Sequence, residues 1–144
     1  MFRYGYYMVL RKWIAHIILW TLIVMWTYTG VGKLVAYQNF RGAILNQPFP
    51  NAIGAYVSII VPLLEVLLAI LLINLKTRVL GFMGSIAMMS AFTTYVGLVW
   101  VEAFERVPCG CAGILESVGW EVHFYINLSL LLLAMIGLLI ANEK

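Results

Sequence analysis

The chain has 144 residues, of which 64% are hydrophobic and 10% charged, with a net charge of +3 and a mean hydropathy of +0.98. Soluble domains carry about 25% charged residues, so this composition excludes an ordinary cytosolic enzyme, a disordered tail and a secreted disulfide scaffold. The positive excess is modest and forms no basic stripe with interleaved aromatics, which excludes nucleic acid as a partner. What remains is an integral membrane protein with a single domain over 1–144.

Charge-free windows place the spans. Residues 13–32, 79–101 and 122–142 contain no Lys, Arg, Asp or Glu, and each matches the roughly 20 residues a helix needs to cross hydrocarbon. The stretch 52–73 is interrupted only by Glu65. The predicted spans are therefore about 13–33, 52–73, 79–101 and 122–141. Backbone polar groups pair internally in lipid, so the expected fold is an all-α, four-helix membrane bundle.

The first span follows Arg3, Arg11 and Lys12, as a signal peptide would. Its apolar run is too long for a signal sequence, and Thr29-Gly30-Val31-Gly32-Lys33 is a poor cleavage site, so it is expected to stay as a helix. Trp13 suits the interface at its start, and His16 lies near the same end. Lys33 closes the span. There it either acts chemically, by lowering a cysteine pKa or pairing with an acid, or snorkels to lipid headgroups. Pro48 and Pro50 punctuate the loop that follows.

Glu65 stands near the middle of the second span, where an ionisable residue costs roughly 2.5–3.5 kcal/mol on insertion scales. It is therefore expected to face the bundle interior. Pro62, one turn earlier, removes a backbone donor. Two roles are open for Glu65: moving a proton or bonding a quinone-like ring, or acting as a structural acid bonded to a neighbouring Tyr or Thr. Asn74-Leu75-Lys76-Thr77 predicts a tight turn. In the third span, Gly81, Gly84, Ser85 and Met88 share a face that lets a helix approach closely. Thr93, Thr94 and Tyr95 are polar enough to line a pocket or to bond across the bundle.

Both cysteines fall in Pro108-Cys109-Gly110-Cys111-Ala112-Gly113, before the fourth span. A Cys109–Cys111 bond would close a ring of about eleven atoms, tighter than disulfides favour, and Gly110 eases the closure. Such a bond removes little chain entropy and is readily reduced, which suits exchange better than stapling. Three readings stand side by side: a redox-active dithiol, capture of a soft metal such as Cu(I), and an inert structural pair. His123 is placed either to serve the dithiol as acid and base or to sit as an interfacial polar residue. Glu102, Glu105, Glu116 and Glu121 make this loop acidic, as a solvated loop or as a docking face for a basic partner.

Lys and Arg are concentrated at the amino terminus, the second loop and the carboxyl terminus (Arg3, Arg11, Lys12, Lys76, Arg78, Lys144), against Lys33, Arg41 and Arg106 on the other side. The positive-inside rule puts both termini in the cytoplasm and the cysteine loop outside, where thiols tend to form disulfides.

Gly32-Lys33-Leu34, Pro62-Leu63-Leu64-Glu65 and Cys109-Gly110-Cys111-Ala112-Gly113, in this order on four spans, resemble the MauE branch of the MauE/DoxX-like redox-associated membrane proteins. The family commonly has an aromatic where this chain has Ala112. The resemblance implies periplasmic protein maturation: disulfide chemistry at the bacterial cytoplasmic (inner) membrane, with the cysteine loop facing the periplasm. The implied fold is similar to that of quinone-linked thiol oxidases, which use a CxxC pair and a second shuttle pair. This chain has no second pair, so a thioredoxin-like or client protein would meet Cys109 and Cys111 directly.

The expected site therefore comprises Cys109, Cys111, Glu65, Lys33 and His123, with Glu65 and Tyr95 toward a quinone and no metal. The expected activity is thiol–disulfide oxidoreduction or disulfide-linked maturation. The alternative is a non-catalytic small subunit or assembly factor of a larger membrane complex, with structural or metal-holding cysteines.

Overall fold

The computed structural model describes residues 2–104 and 119–142. Five helices follow one another: α1 (Phe2–Val35), α2 (Tyr37–Leu45), α3 (Asn51–Ile73), α4 (Arg78–Trp100) and α5 (Trp120–Asn142). Helices α1, α3, α4 and α5 are long and apolar enough to cross a membrane. They close a ring in which α1 packs on α3 and α5, and α4 packs on α3 and α5. The described residues contain no strand, and the all-α expectation holds.

The buried stripes follow helical periodicity. In α1 the stripe is Ile18, Leu19, Leu22, Ile23 and Trp26; in α3 it is Ser58, Pro62, Glu65, Leu68, Ala69 and Leu72. Spacings of three and four keep each set on one face. The opposite faces are apolar too, with Trp13, Ile17, Trp20 and Val24 of α1 and Ile59, Leu63 and Ile70 of α3 exposed. Apolar residues on both sides of a helix suit a protein solvated by lipid. Trp26 crosses the ring diagonally and donates from Nε1 to Ser85 Oγ of α4 at 2.9 Å. Ser85 Oγ in turn donates to the Gly81 carbonyl at 2.7 Å. A Cβ on Gly81 would lie 2.9 Å from the Leu72 backbone nitrogen, so glycine sets the close approach of α4 to α3, as the small-residue face predicts.

Two features differ from the sequence expectation. Helix α1 begins at Phe2, well before residue 13. Its 34 residues reach about 51 Å at 1.5 Å per residue, against about 30 Å of hydrocarbon. The charges Arg3, Arg11 and Lys12 limit the membrane-crossing window, but nothing in them stops a helix. The second is α2, which lies in what read as a loop. It is separated from α1 by a single residue outside the helical run, Ala36 (φ −97°, ψ 37°), and packs mainly against α3. Phe40 and Ile44, one turn apart, are its buried residues. After it, Pro50 caps the start of α3 in an extended conformation. The predicted turn at 74–77 is present, closed by Thr77 N–H to the Asn74 carbonyl at 3.1 Å. Helix α3 runs through Pro62 without ending.

Candidate functional site: a buried lysine–glutamate pair

Glu65 projects from α3 into the bundle and is 1% exposed. Lys33 of α1 donates from Nζ to Glu65 Oε1 at 2.5 Å. Local helix geometry explains how they meet. Side chains on a helix lean toward its amino terminus, so Lys33 folds back along α1 toward the level of Gly30. There α1 comes close to α3: a Cβ on Gly30 would lie 3.0 Å from Glu65 Cβ and 3.1 Å from the Val66 nitrogen. The Gly30-Val31-Gly32-Lys33 run thus supplies a close helix approach and, one turn later, the cation that uses it.

Two aromatic rings enclose the ammonium. The Phe40 ring of α2 lies 5.5 Å from Lys33 Nζ and the Phe92 ring of α4 lies 5.9 Å away, distances at which the ring faces attract a cation. Four helices therefore contribute: α1 the cation, α3 the carboxylate, α2 and α4 the walls. Lys33 retains 21% exposure of its side chain, so the pair is closed on the glutamate side and partly open on the lysine side. Glu65 Oε2 is buried and has no hydrogen-bond partner among the described residues. A buried acceptor without a donor costs about 1–3 kcal/mol, more when charged. This oxygen is ready to accept a proton or a donor.

A second polar contact fixes α2 over this end. Gln47 follows α2 and is 1% exposed. It accepts a hydrogen bond at Oε1 from the Tyr95 hydroxyl of α4, and its Nε2 donates back to the Ala43 carbonyl at 3.1 Å. The Tyr95 ring also packs on Phe104, with centroids 6.0 Å apart. Glu65 and Tyr95 thus take part in separate hydrogen-bonded pairs. His123 stands in the first turn of α5 beside Trp120, with ring centroids 6.0 Å apart. Cys109 and Cys111 lie outside the described residues, as do Glu105 and Glu116. The described ends of that segment are Phe104, held on Tyr95, and Gly119, whose carbonyl accepts the His123 N–H at 3.2 Å.

Thr93 and Thr94 line a cleft of about 390 Å³ with Gly97, Leu98, Trp100 and Phe124. Each threonine hydroxyl donates to the carbonyl one turn back, on Met89 and Ser90, so the cleft presents mainly apolar and aromatic surface. Among the described residues no group of three or more His, Cys, Asp or Glu could hold a metal ion. Phe40, Phe92 and Gln47 did not stand out in the sequence. The one signal was the spacing of Phe40 and Ile44, one turn apart on a short helix; nothing in the sequence marked Phe92 or Gln47.

The fold and the pair define a class: an all-helical membrane protein with four spans and a lysine–glutamate pair buried between its first two long helices. The model of the methylamine utilisation protein MauE family matches residues 11–140. That is nearly the whole chain, which belongs to the MauE family. Comparisons with curated proteins and with solved structures found no match.

Proposed function

We propose that the chain is a membrane thiol–disulfide oxidoreductase acting in protein maturation, with Cys109 and Cys111 as the exchanging pair and Lys33–Glu65 as its proton-handling group. One arrangement carries this reading. Phe104, the last described residue before the cysteines, packs on Tyr95, one helical turn beyond the Phe92 ring that walls the ion pair. The chain thus runs from the wall of the ion pair to the residue that precedes the cysteine segment within the last part of α4 and the turn after it.

In this reading a client thiolate attacks one sulfur of the oxidised pair and forms a mixed disulfide. The second client thiol resolves it, leaving an oxidised client and a reduced Cys109/Cys111 pair. Two electrons and two protons must then leave. Glu65 Oε2 accepts a proton, and Lys33 holds the carboxylate in place and offers the partly open route to it. His123 is the further acid–base group. A membrane quinone supplies a two-electron, two-proton acceptor. The aromatic cleft of Trp100, Phe124, Thr93 and Thr94 fits a flat ring, and Tyr95 and Glu65 are the polar groups offered toward it in this reading. The client or a thioredoxin-like donor meets the pair from outside the membrane, on the periplasmic side of a bacterial inner membrane.

The test uses the purified full-length chain. Thiol labelling after reductant, and again after a short-chain quinone, is expected to show Cys109 and Cys111 reduced and then reoxidised together. Cys109→Ser and Cys111→Ser should each abolish the cycle. A pair that keeps one oxidation state throughout refutes the oxidoreductase, and leaves a non-catalytic subunit or assembly factor as the better reading.

A further inference from the structure

At the opposite end of the bundle, α1 carries a groove that the reading above does not use. Lys12, Trp13, His16, Ile17, Trp20 and Thr21 line about 560 Å³ on its outer face. Trp13 and Trp20 are seven residues apart, so they share a face and stand about 10 Å apart along the axis. They are 67% and 60% exposed, two indole walls projecting from the bundle. Between them the surface grades from polar to apolar. Lys12 is exposed at the shallow end. His16 donates from Nδ1 to the Lys12 carbonyl at 2.7 Å, which holds the ring against the helix and turns its Nε2 edge outward. Deeper in, Ile17 forms an apolar floor, and Thr21 donates its hydroxyl to the Ile17 carbonyl at 2.8 Å, leaving its methyl for packing. The apolar face continues through Val24 and Tyr28.

Among the described residues, the charges near the groove are cationic. Arg11 adjoins it and donates to the Ile140 carbonyl of α5 at 3.4 Å, and Lys76 and Arg78 lie in or beside the α3–α4 turn at the same end. The described acids, Glu65, Glu102 and Glu121, all lie elsewhere. The lining thus offers a cation and an imidazole at one end and apolar surface along the rest, which complements an occupant anionic at one end and apolar beyond it. A soluble anion would leave the indoles and Ile17 unused, and an apolar chain alone would leave Lys12 and His16 unused.

We propose that this groove seats one anionic phospholipid. Its phosphate lies against Lys12 and His16, and one acyl chain runs along Ile17 between Trp13 and Trp20. This site is independent of the cysteines and of Glu65.

The full-length chain in nanodiscs of equal phosphatidylglycerol and phosphatidylcholine, released into detergent and weighed by native mass spectrometry, tests the proposal. The wild type is expected to retain phosphatidylglycerol over phosphatidylcholine by about fivefold for each cation engaged. The double variant Lys12→Gln with His16→Gln should bring the ratio close to parity. Trp20→Ala should weaken retention of both lipids, whereas Lys76→Gln, outside the groove, should change nothing. Parity in the wild type overturns the proposal. So does a loss with Lys76→Gln equal to that of the double variant, because the preference would then belong to diffuse surface charge.

Discussion

Replacing Gly30 by Ala tests how the ion pair is assembled. The added Cβ would lie 2.9 Å from Val66 Cγ2, 3.0 Å from Glu65 Cβ and 3.1 Å from the Val66 nitrogen. Comfortable separations between such atoms are about 3.5–4.0 Å, so the shortfall is roughly half an ångström against three atoms of α3. Two of those atoms belong to the α3 backbone or its first side-chain carbon, and a helical valine has almost no rotamer freedom. The helices must therefore part. Overpacking of this kind costs about 1–3 kcal/mol, against a gain of up to about 1 kcal/mol in helix propensity from glycine to alanine.

Gly32 supplies the control in the same helix. Nothing lies within 4 Å of a Cβ there, so Gly32→Ala should keep the propensity gain of about 1 kcal/mol undiminished. The two variants should differ by about 2 kcal/mol in equilibrium unfolding from mixed micelles, with Gly30→Ala the less stable. Gly30→Ala should also lengthen the Lys33–Glu65 bond and slow any reaction that depends on it. Equal stability of the two variants would refute the claim that the α1–α3 approach is fixed at Gly30.

Three further outcomes follow from the same geometry. Lys33→Met should destabilise the bundle by about 3–5 kcal/mol, because it leaves Glu65 buried and unpaired. Adding Glu65→Leu should recover most of that loss, and a double-mutant cycle showing additive effects would contradict the pairing. Tyr95→Phe removes the hydrogen bond that Tyr95 donates to Gln47, a loss of about 0.5–1.5 kcal/mol. Hydrogen exchange should rise in α2 (Tyr37–Leu45) before it rises in α3, and uniform exchange across both would contradict the role of this bond. Glu102 ends α4 at a φ of 56°, a conformation that costs a non-glycine residue about 1 kcal/mol or more. Glu102→Gly should raise thermal stability by about that amount, and a fall would show that the glutamate side chain compensates for its backbone.

Much of the fold was legible because charges are scarce and each is expensive in lipid. The uncharged windows marked the four crossings, and the cost of a lone acid within an apolar stretch was enough to turn Glu65 inward. The limits of α1 and the existence of α2 were not legible for the same reason. A charge marks where lipid ends, and a helix continues past it wherever the backbone has no reason to break. Helix α2 carries Arg41 and Gly42 between its few apolar residues, so it resembles a loop until α3 offers a surface for Phe40 and Ile44.

The candidate site divides along the same line. Sequence alone determined which residue types the protein could use: one acid in a span, one cation at the end of a span, and two cysteines a residue apart. Local chemistry and spacing suffice for that. Only the tertiary structure decided that Lys33 belongs to Glu65, that Phe40 and Phe92 enclose it, and that Tyr95 bonds Gln47. Such partnerships join helices through residues 32 and 48 positions apart. They depend on where glycine permits two backbones to meet, and that close approach is a property of the packed bundle.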